Sequence, residues 1–321
     1  MQKNWMSGIL NVLKPPGMTS HDVVDYIRRL TGIRKVGHTG TLDPAAAGVL
    51  PVCLGQATRI IRFLQDDKEY RVEVAFGVTT TTGDGEGEII EKRDASALSG
   101  QSVEAVLKHF KGEIEQVPPM TSAVHYQGKR LYELARTGQV VARKPRRVNI
   151  YSLRLTRLVE WGTGTPRAFL DVVCSTGTYI RTLCMDMGQR LGCGAYMSFL
   201  LRVRAGVFVL SKTRTLEEVL ALNKSGELES SLVSMNEALG HLKAVQVKTG
   251  AIPAVQSGNR LFPAGLIDFA EPELPGGQLV RVCSGQCLLA VARVENDSTE
   301  YFFQPVVVLA GSDKLSTSPH N

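Results

Sequence analysis

The 321-residue sequence has no long apolar run and no cysteine pair at metal-binding spacing. No segment approaches the roughly 20 apolar residues that a membrane helix requires. The apolar stretch near the start ends after about six residues at a proline pair, too short for the core of a signal peptide. The six cysteines form no CxxC pair and no Cys/His cluster, so we expect no metal site. We therefore expect reduced thiols, a cytoplasmic location and no membrane anchor.

Glycine and proline are too few for a collagen-like or disordered chain, and 43% of the residues are hydrophobic. The net charge of +6 is small, but it is unevenly distributed. Residues 129–157 contain nine lysines and arginines against one acidic residue, Glu133, a local charge of +8. A solvated surface is one interpretation of such a run. Its density and its neighbouring tyrosines favour a phosphate-rich partner, so we expect a nucleic acid.

The pattern of elements predicts an α+β fold with two domains. Alternating segments such as 69–76 indicate strands. Helical spacing indicates helices at 20–31, with Ser20 as the cap, and at 57–64, 102–110 and 179–191. We expect a mixed, mainly antiparallel large sheet flanked by helices. From about residue 240 short strands alternate with turns and no helix is evident, which indicates a small all-β module. The predicted boundaries are 1–238, 239–311 and a flexible tail at 312–321.

The segment Gly37–Pro44 (GHTGTLDP) is the most unusual part of the sequence. Its glycines allow close approach of a ligand, and Pro44 restricts Asp43 to an extended conformation. Asp43 is therefore a candidate nucleophile or base, although an Asx-type turn would use the same residues. A phosphate-binding P-loop, an aspartyl-phosphate motif and a serine elbow are all excluded by missing residues. A glycosidase needs a second carboxylate, and the candidates Asp84, Glu86 and Glu88 lie in a glycine-rich loop that we expect to face solvent.

Several segments, in order, resemble the TruB family, the bacterial tRNA pseudouridine-55 synthases. GHTGTLDPAAAGVLPVCLG resembles the family signature. The other matching segments are KPPG (14–17), KEYRV (68–72), PPMTSAVHYQGKRLYELAR (118–136), CSTGTYIRTLCMDMGQRLGCGAY (174–196) and SFLLRVRAG (198–206). The resemblance covers residues 8 to about 210. The C-terminal module is similar to a PUA domain only in its position in the chain and in its pattern of short strands separated by turns.

This resemblance implies an isomerase that converts uridine to pseudouridine without cofactor, metal or nucleotide. Asp43 would act on the sugar, either covalently or by taking the 2′ proton to give a glycal. Arg181 would pair with Asp43. Tyr70 would stack on the uracil and shuttle the C5 proton, while Leu200 and Tyr179 would line the pocket.

The resemblance also implies a partner, the T arm of tRNA, with the acceptor end near the C-terminal module. His38 would fill the space that an extruded base vacates. The insertion at about 118–147 would grip the RNA. The expected substrate-binding cations are Lys14, Arg59, Lys129, Arg130, Arg143, Arg146 and Arg147. We expect a monomer with no obligatory protein partner.

Three positions depart from the family pattern. Thr121 replaces a tyrosine and His125 a lysine; both lie in the insertion, so we expect them to affect RNA grip rather than chemistry. Arg59 replaces a lysine. Two alternatives stay open: an RNA-binding protein or chaperone without catalysis, which would not need Asp43, and a guide-dependent relative, against which the lack of lysine-rich tails argues.

Overall fold

The structure, a computed structural model, describes residues 6–122, 124–267, 274–296 and 301–309. The strands are β1 (Gly8–Lys14), β2 (Val36–His38), β3 (Ala47–Leu54), β4 (Lys68–Phe76), β5 (Val78–Thr80), β6 (Ile89–Lys92), β7 (Gly112–Gln116), β8 (His125–Tyr126), β9 (Lys129–Arg130), β10 (Arg146–Val159), β11 (Arg167–Cys174), β12 (Ala195–Ala205), β13 (Phe208–Val209), β14 (Lys243–Gln246), β15 (Leu279–Ser284), β16 (Cys287–Asn296) and β17 (Tyr301–Val308). The α-helices are α1 (Ser20–Thr31), α2 (Gly100–Leu107), α3 (Leu131–Arg136), α4 (Ile180–Arg190), α5 (Leu216–Ser225), α6 (Met235–Ala238) and α7 (Ile252–Gln256). In the described part of the chain, no helix has the length and apolar character needed to span a bilayer.

A large mixed sheet forms the centre of the protein, which confirms the predicted fold class. Its strand order is β1-β3-β12-β4-β11-β10-β7, with β2 paired to β3 and β13 to β12. These pairs are antiparallel except β12 with β3, which is parallel. Apolar residues alternate along β4 and β11, so that one face of the sheet packs with α2 and α4 in a common core. Tyr70 and Leu200 belong to this buried face.

Helix α1 begins one residue earlier than its predicted cap implies, because Thr19 and not Ser20 caps it. The Thr19 hydroxyl accepts a hydrogen bond from the Asp22 amide, and the Asp22 carboxylate accepts one from the Thr19 amide. Ser20 has a different partner. Its hydroxyl accepts from the Leu42 amide at 2.8 Å and donates to the Leu42 carbonyl at 3.2 Å. The helix thus anchors the loop that carries Asp43.

Two further expectations about helices were wrong. The segment predicted as a helix from residue 57 is a 3₁₀ helix, Gly55–Phe63, whose buried residues Ala57 and Ile60 are three apart. That spacing matches the three residues per turn of a 3₁₀ helix. The C-terminal module, expected to have no helix, contains α7. Its five residues are too few to show helical periodicity in the sequence.

The C-terminal module packs directly on the large sheet. Its own sheet has the order β14-β15-β16-β17. One apolar cluster joins Ile9 and Cys53 of the large sheet with Leu288 and Val307 of the module. The boundary predicted at residue 238 coincides with the last residue of α6, and the tail predicted at 312–321 lies outside the described residues.

Candidate active site

Asp43 and Arg181 form a two-point ion pair. Asp43 lies in the loop between β2 and β3, and Arg181 is the second residue of α4. Arg181 Nε is 3.0 Å from Asp43 Oδ2, and its Nη2 is 3.1 Å from Oδ1. The Arg181 side chain is 6% exposed and that of Asp43 29%. This geometry fixes the orientation of the carboxylate while leaving part of it accessible.

A second carboxylate shares Arg181, contrary to the sequence prediction. Asp84 was expected to face solvent, but its side chain is only 8% exposed and lies 3.4 Å from Arg181 Nη1. The hydroxyl of Thr82 and the amide of Glu86 donate hydrogen bonds to Asp84 Oδ1. The tight turn therefore points its aspartate inward. Arg181 lies between two carboxylates, and the three groups together carry one net negative charge.

Thr121 also contacts Arg181, although it was expected to affect RNA grip alone. Its hydroxyl accepts a hydrogen bond from Nη1, and its carbonyl accepts one from Nη2 at 3.2 Å. Thr121 lies at the root of the insertion, so the insertion directly supports Arg181. Thr121 therefore contacts the side chain that pairs with Asp43, a contact that the expectation of a role in RNA grip did not include.

Burial raises the pKa of the Asp43 carboxyl above its ordinary value of 3.8. The Arg181 guanidinium opposes this effect, Asp84 adds to it, and Lys14 opposes it. A buried carboxylate is poorly solvated and so is a stronger base than an exposed one. Arg181 favours the ionised form that a base or nucleophile requires.

Asp43 and Arg181 separate two cavities. The smaller, of about 240 Å³, is also lined by Tyr70, Tyr179 and Leu200. The larger, of about 740 Å³, is lined by residues of α1, of the 82–86 turn and of the insertion, and by His38. The structure thus brings together the five residues predicted for the base pocket and places His38 on the other side of Asp43.

Tyr70 and Tyr179 each contact a side chain that the sequence analysis did not select. Burial raises the pKa of Tyr70, and the neighbouring Arg202 guanidinium opposes that rise. Tyr179 precedes α4, and the Gln116 side chain holds its backbone at two points. The Tyr179 amide donates to Gln116 Oε1 at 2.9 Å, and Gln116 Nε2 donates to the Tyr179 carbonyl at 3.2 Å. Gln116 ends β7 just before the insertion, and the sequence analysis missed it.

His38 stabilises its own turn and lies on the wall of the larger cavity. Its Nδ1 accepts a hydrogen bond from the Gly40 amide at 3.2 Å, so that nitrogen is unprotonated. Burial lowers the pKa of His38, and Arg202 lowers it further. The imidazole is therefore neutral near pH 7, stabilises the turn, and presents a flat ring to the larger cavity.

Lys14 and Arg59 do not lie where substrate-binding residues were expected. Lys14 is fully buried, and its ammonium donates to the carbonyls of Pro15, Met18 and Pro44 at 2.8, 2.5 and 3.1 Å. Burial lowers its pKa to about 8. Lys14 therefore supports the Asp43 loop from a buried position and is not exposed on a cavity surface. Arg59 lines neither principal cavity and donates to the Val308 carbonyl of β17, so it joins the 3₁₀ helix to the C-terminal module.

The predicted phosphate contacts lie mainly on the exposed insertion and the start of β10. Those that are exposed are Lys129, Arg130, Arg146 and Arg147. Arg130 lines the larger cavity, whereas Arg147 lies 3.4 Å from Glu113. Arg143 is half-buried and donates to the Pro118 carbonyl at 3.1 Å, which ties the two ends of the insertion together. Arg143 is thus a structural brace.

The smaller cavity contains residues that the sequence analysis did not select. Ser122, Lys68 and Arg202 all line it. The Ser122 hydroxyl is buried and has no hydrogen-bond partner among the described residues. Lys68 pairs with Asp66. Within the described ranges, no three His, Cys, Asp or Glu side chains are grouped so that they would hold a metal ion.

Comparisons with known proteins agree on one family. The family model "TruB family pseudouridylate synthase (N terminal domain)" matches residues 28–180, and "tRNA pseudouridylate synthase B C-terminal domain" matches residues 181–240. The tRNA pseudouridine synthase B of Pelotomaculum thermopropionicum is 54% identical over 95% of this chain and 98% of its own length. That of Symbiobacterium thermophilum is 52% identical over 79% and 82% of the two chains.

Solved structures show the same architecture. A Cbf5-Nop10-Gar1 complex contains a chain with a TM-score of 0.72 and 28% identity, and the match covers 95% of this chain and 85% of that one. A second neighbour comes from an H/ACA ribonucleoprotein bound to a substrate RNA containing 2′-deoxyuridine. It has a TM-score of 0.71 and 25% identity, with 96% and 87% coverage. Sequence and structure together show that the chain belongs to the TruB family of pseudouridylate synthases.

Proposed function

We propose that this enzyme isomerises the uridine at position 55 in the T loop of tRNA, with Asp43 as the catalytic group. The observation that carries the proposal is the Asp43–Arg181 pair on the wall of a small cavity that Tyr70 and Leu200 also line. A protein that only binds RNA has no use for a buried carboxylate, because it would repel the phosphate backbone. The relatives described above are named tRNA pseudouridine synthase B, which supports tRNA as the substrate.

The reaction conserves all atoms and electrons. The bond between N1 and C1′ breaks with its electron pair on N1, the uracil turns, and C5 forms a bond to C1′. C5 then loses its proton and N1 gains one. Asp43 acts either by attacking C1′ or by taking the 2′ proton. Both routes need an ionised carboxylate, which Arg181 favours against the opposing effect of burial.

The target base has to leave the RNA stack before Asp43 can reach its sugar. Extrusion of a base costs a few kcal/mol. In our proposal the uracil enters the smaller cavity, against Tyr70 and Leu200, and the neutral His38 ring stacks where the base has left. The Tyr70 hydroxyl takes part in moving the C5 proton.

The surrounding surface suits the T arm. Lys129, Arg130 and Arg146 contact phosphates, and the insertion closes over the larger cavity that receives the loop. The acceptor end lies toward the C-terminal module. We propose a cytoplasmic monomer that needs no protein partner, whereas one solved neighbour was crystallised as a complex with Nop10 and Gar1.

The test is tritium release from a T-arm stem-loop RNA labelled with 5-[³H]uridine, without added metal or nucleotide. Wild type and Glu88→Gln, which changes an exposed carboxylate, are expected to release tritium. Asp43→Asn is expected to lose release by a factor of at least about 10²–10⁴ while still binding the RNA. If wild type binds the stem-loop but releases nothing, the proposal fails and a binding or chaperone function replaces it.

A further inference from the structure

Arg202 is a buried cation that forms no ion pair with the carboxylates of the described residues. It lies in β12 with 1% of its surface exposed. It donates hydrogen bonds to three backbone carbonyls: Nε to Val49 at 2.6 Å, Nη2 to Gly40 at 3.1 Å and Nη1 to Thr41 at 3.4 Å. Its side chain also hydrogen-bonds with that of Tyr70, which is a neutral partner. None of the carboxylates that the structure describes forms an ion pair with it. A buried charge of this kind is costly and needs a reason.

The next arginine along the same strand shows the contrast. Arg204 lies two residues further on and forms ion pairs with Asp67 and Glu69. Its charge is compensated and partly exposed. An arginine in this strand can therefore be placed beside carboxylates that compensate its charge. Arg202 has no such neighbour among the described residues, and this difference needs a separate explanation.

Arg202 is placed to act on the base pocket. It lines the same small cavity as Asp43, Tyr70 and Leu200. Its positive charge lowers the pKa of His38 and of Lys14, in the same direction as the larger effect of burial. It also lowers the pKa of Tyr70, where the larger effect of burial is in the opposite direction. The guanidinium charge therefore acts on groups that line or surround the pocket.

The other cations near this cavity are compensated. Arg181 is shared by Asp43 and Asp84. Lys68 pairs with Asp66. Among the described residues that line the smaller cavity, Arg202 is thus the cation whose charge no carboxylate cancels.

We propose that Arg202 stabilises the negative charge that develops on the uracil as the N1–C1′ bond breaks. The electron pair moves onto N1 and spreads to O2 and O4, and the charge disappears when C5 bonds to C1′. A fixed cation in a cavity shielded from water is worth much more to such a charge than one in solvent. The three carbonyl contacts hold Arg202 in place and, at the same time, hold the loop at Gly40 and Thr41. This inference rests on the proposed function.

Changing the leaving group separates the electrostatic role from loop support. We compare T-arm stem-loops with uridine or 5-fluorouridine at the target position, because fluorine makes the departing uracil anion less basic and less dependent on outside stabilisation. Single-turnover loss of the N-linked nucleoside is measured by nuclease digestion and mass spectrometry. The variants are Arg202→Met, Arg202→Gln, whose neutral amide can still donate to a carbonyl, and Arg202→Lys, which keeps the charge. Arg204→Met is the matched control.

Arg202→Met and Arg202→Gln are expected to lose about 10²–10³-fold in rate on the uridine substrate. Their loss on 5-fluorouridine is expected to be at least tenfold smaller. Arg202→Lys and Arg204→Met should keep the wild-type ratio between the two substrates. If the neutral variants lose the same factor on both substrates, Arg202 only supports the loop and the inference is overturned. If wild type itself converts neither substrate, the proposed function has failed instead.

Discussion

Replacing Asp84 with asparagine tests how the active-site charges set the ionisation of Asp43. The variant removes one negative charge but keeps an oxygen that accepts from the Thr82 hydroxyl and the Glu86 amide. Asp84 is one of the groups that raise the pKa of Asp43. Its neutralisation is therefore expected to lower that pKa. Because the proposed reaction needs ionised Asp43, the acid limb of the pH–rate profile should move to lower pH.

The size of the effect follows from the geometry around Arg181. A unit charge at the 3.4 Å separation of Asp84 and Arg181 corresponds to about 5 kcal/mol of gross attraction at an effective dielectric constant near 20. Most of this is offset, because Asp84 no longer has to be desolvated. Arg181 also keeps Asp43 and Thr121 as partners. We expect a change in folding stability below about 1 kcal/mol. Because a lower pKa also makes Asp43 a weaker base, we expect a rate about tenfold lower above the acid limb, equivalent to about 1.4 kcal/mol.

The measurement is single-turnover pseudouridine formation on the T-arm stem-loop across the acid pH range. Glu86→Gln is the matched control, since it changes an exposed carboxylate two residues away in the same turn. It should keep the wild-type profile. An acid limb that stays in place, or moves to higher pH, in Asp84→Asn would refute the argument that Asp84 and Asp43 compete for Arg181.

Three further predictions concern stability and binding. Burial raises the pKa of Asp43, so its ionised form destabilises the fold above that pKa, and the effect is absent below the ordinary value of 3.8. In calorimetry, Asp43→Asn should therefore raise the melting temperature at pH 8, and this gain should vanish near pH 3. Gly48→Ala should unfold or aggregate, because a Cβ at this position would lie 2.2 Å from the Arg202 carbonyl oxygen. Gly112 also has a positive φ, but a Cβ there would meet no atom within 4 Å, so Gly112→Ala should lower the free energy of unfolding in urea by only about 1 kcal/mol. Arg146→Gln should reduce the slope of log affinity for tRNA against log salt by about 1, and Arg147→Gln by less, because Glu113 already lies 3.4 Å from Arg147; equal slopes in all three proteins would contradict the phosphate contacts.

The local spacing of apolar residues was sufficient to predict the secondary-structure elements that carry the site. The alternation at 69–76 corresponds to β4, and the helical spacing at 179–191 to α4, each within one residue at either end. These elements have one buried face, and burial of one face produces the periodicity that the sequence shows. The Asp43 loop was identified because its glycines allow close approach of a ligand while Pro44 restricts the backbone of Asp43.

The residues that were misplaced have no such local signal. Asp84 lies among glycines and threonines that are typical of an exposed turn, yet its turn folds inward and the aspartate is buried by Arg181, 97 positions away in sequence. Lys14 lies in a recognised motif, but its role depends on the Pro44 carbonyl that β3 brings beside it. Neither contact leaves a trace in composition or spacing.

The electrostatics of the pocket show why recognising motifs is not the same as deriving a site. Each motif supplies one charge: Asp43 from one loop, Arg181 from α4 and Arg202 from β12, with up to 162 residues between contacting groups. Whether a charge is cancelled depends on which carboxylates the fold brings next to it. Within the described ranges Arg181 receives two and Arg202 none, although both are buried arginines beside the same cavity. The sequence therefore identifies which groups are present, while the fold decides which of them has charge left to act on a substrate.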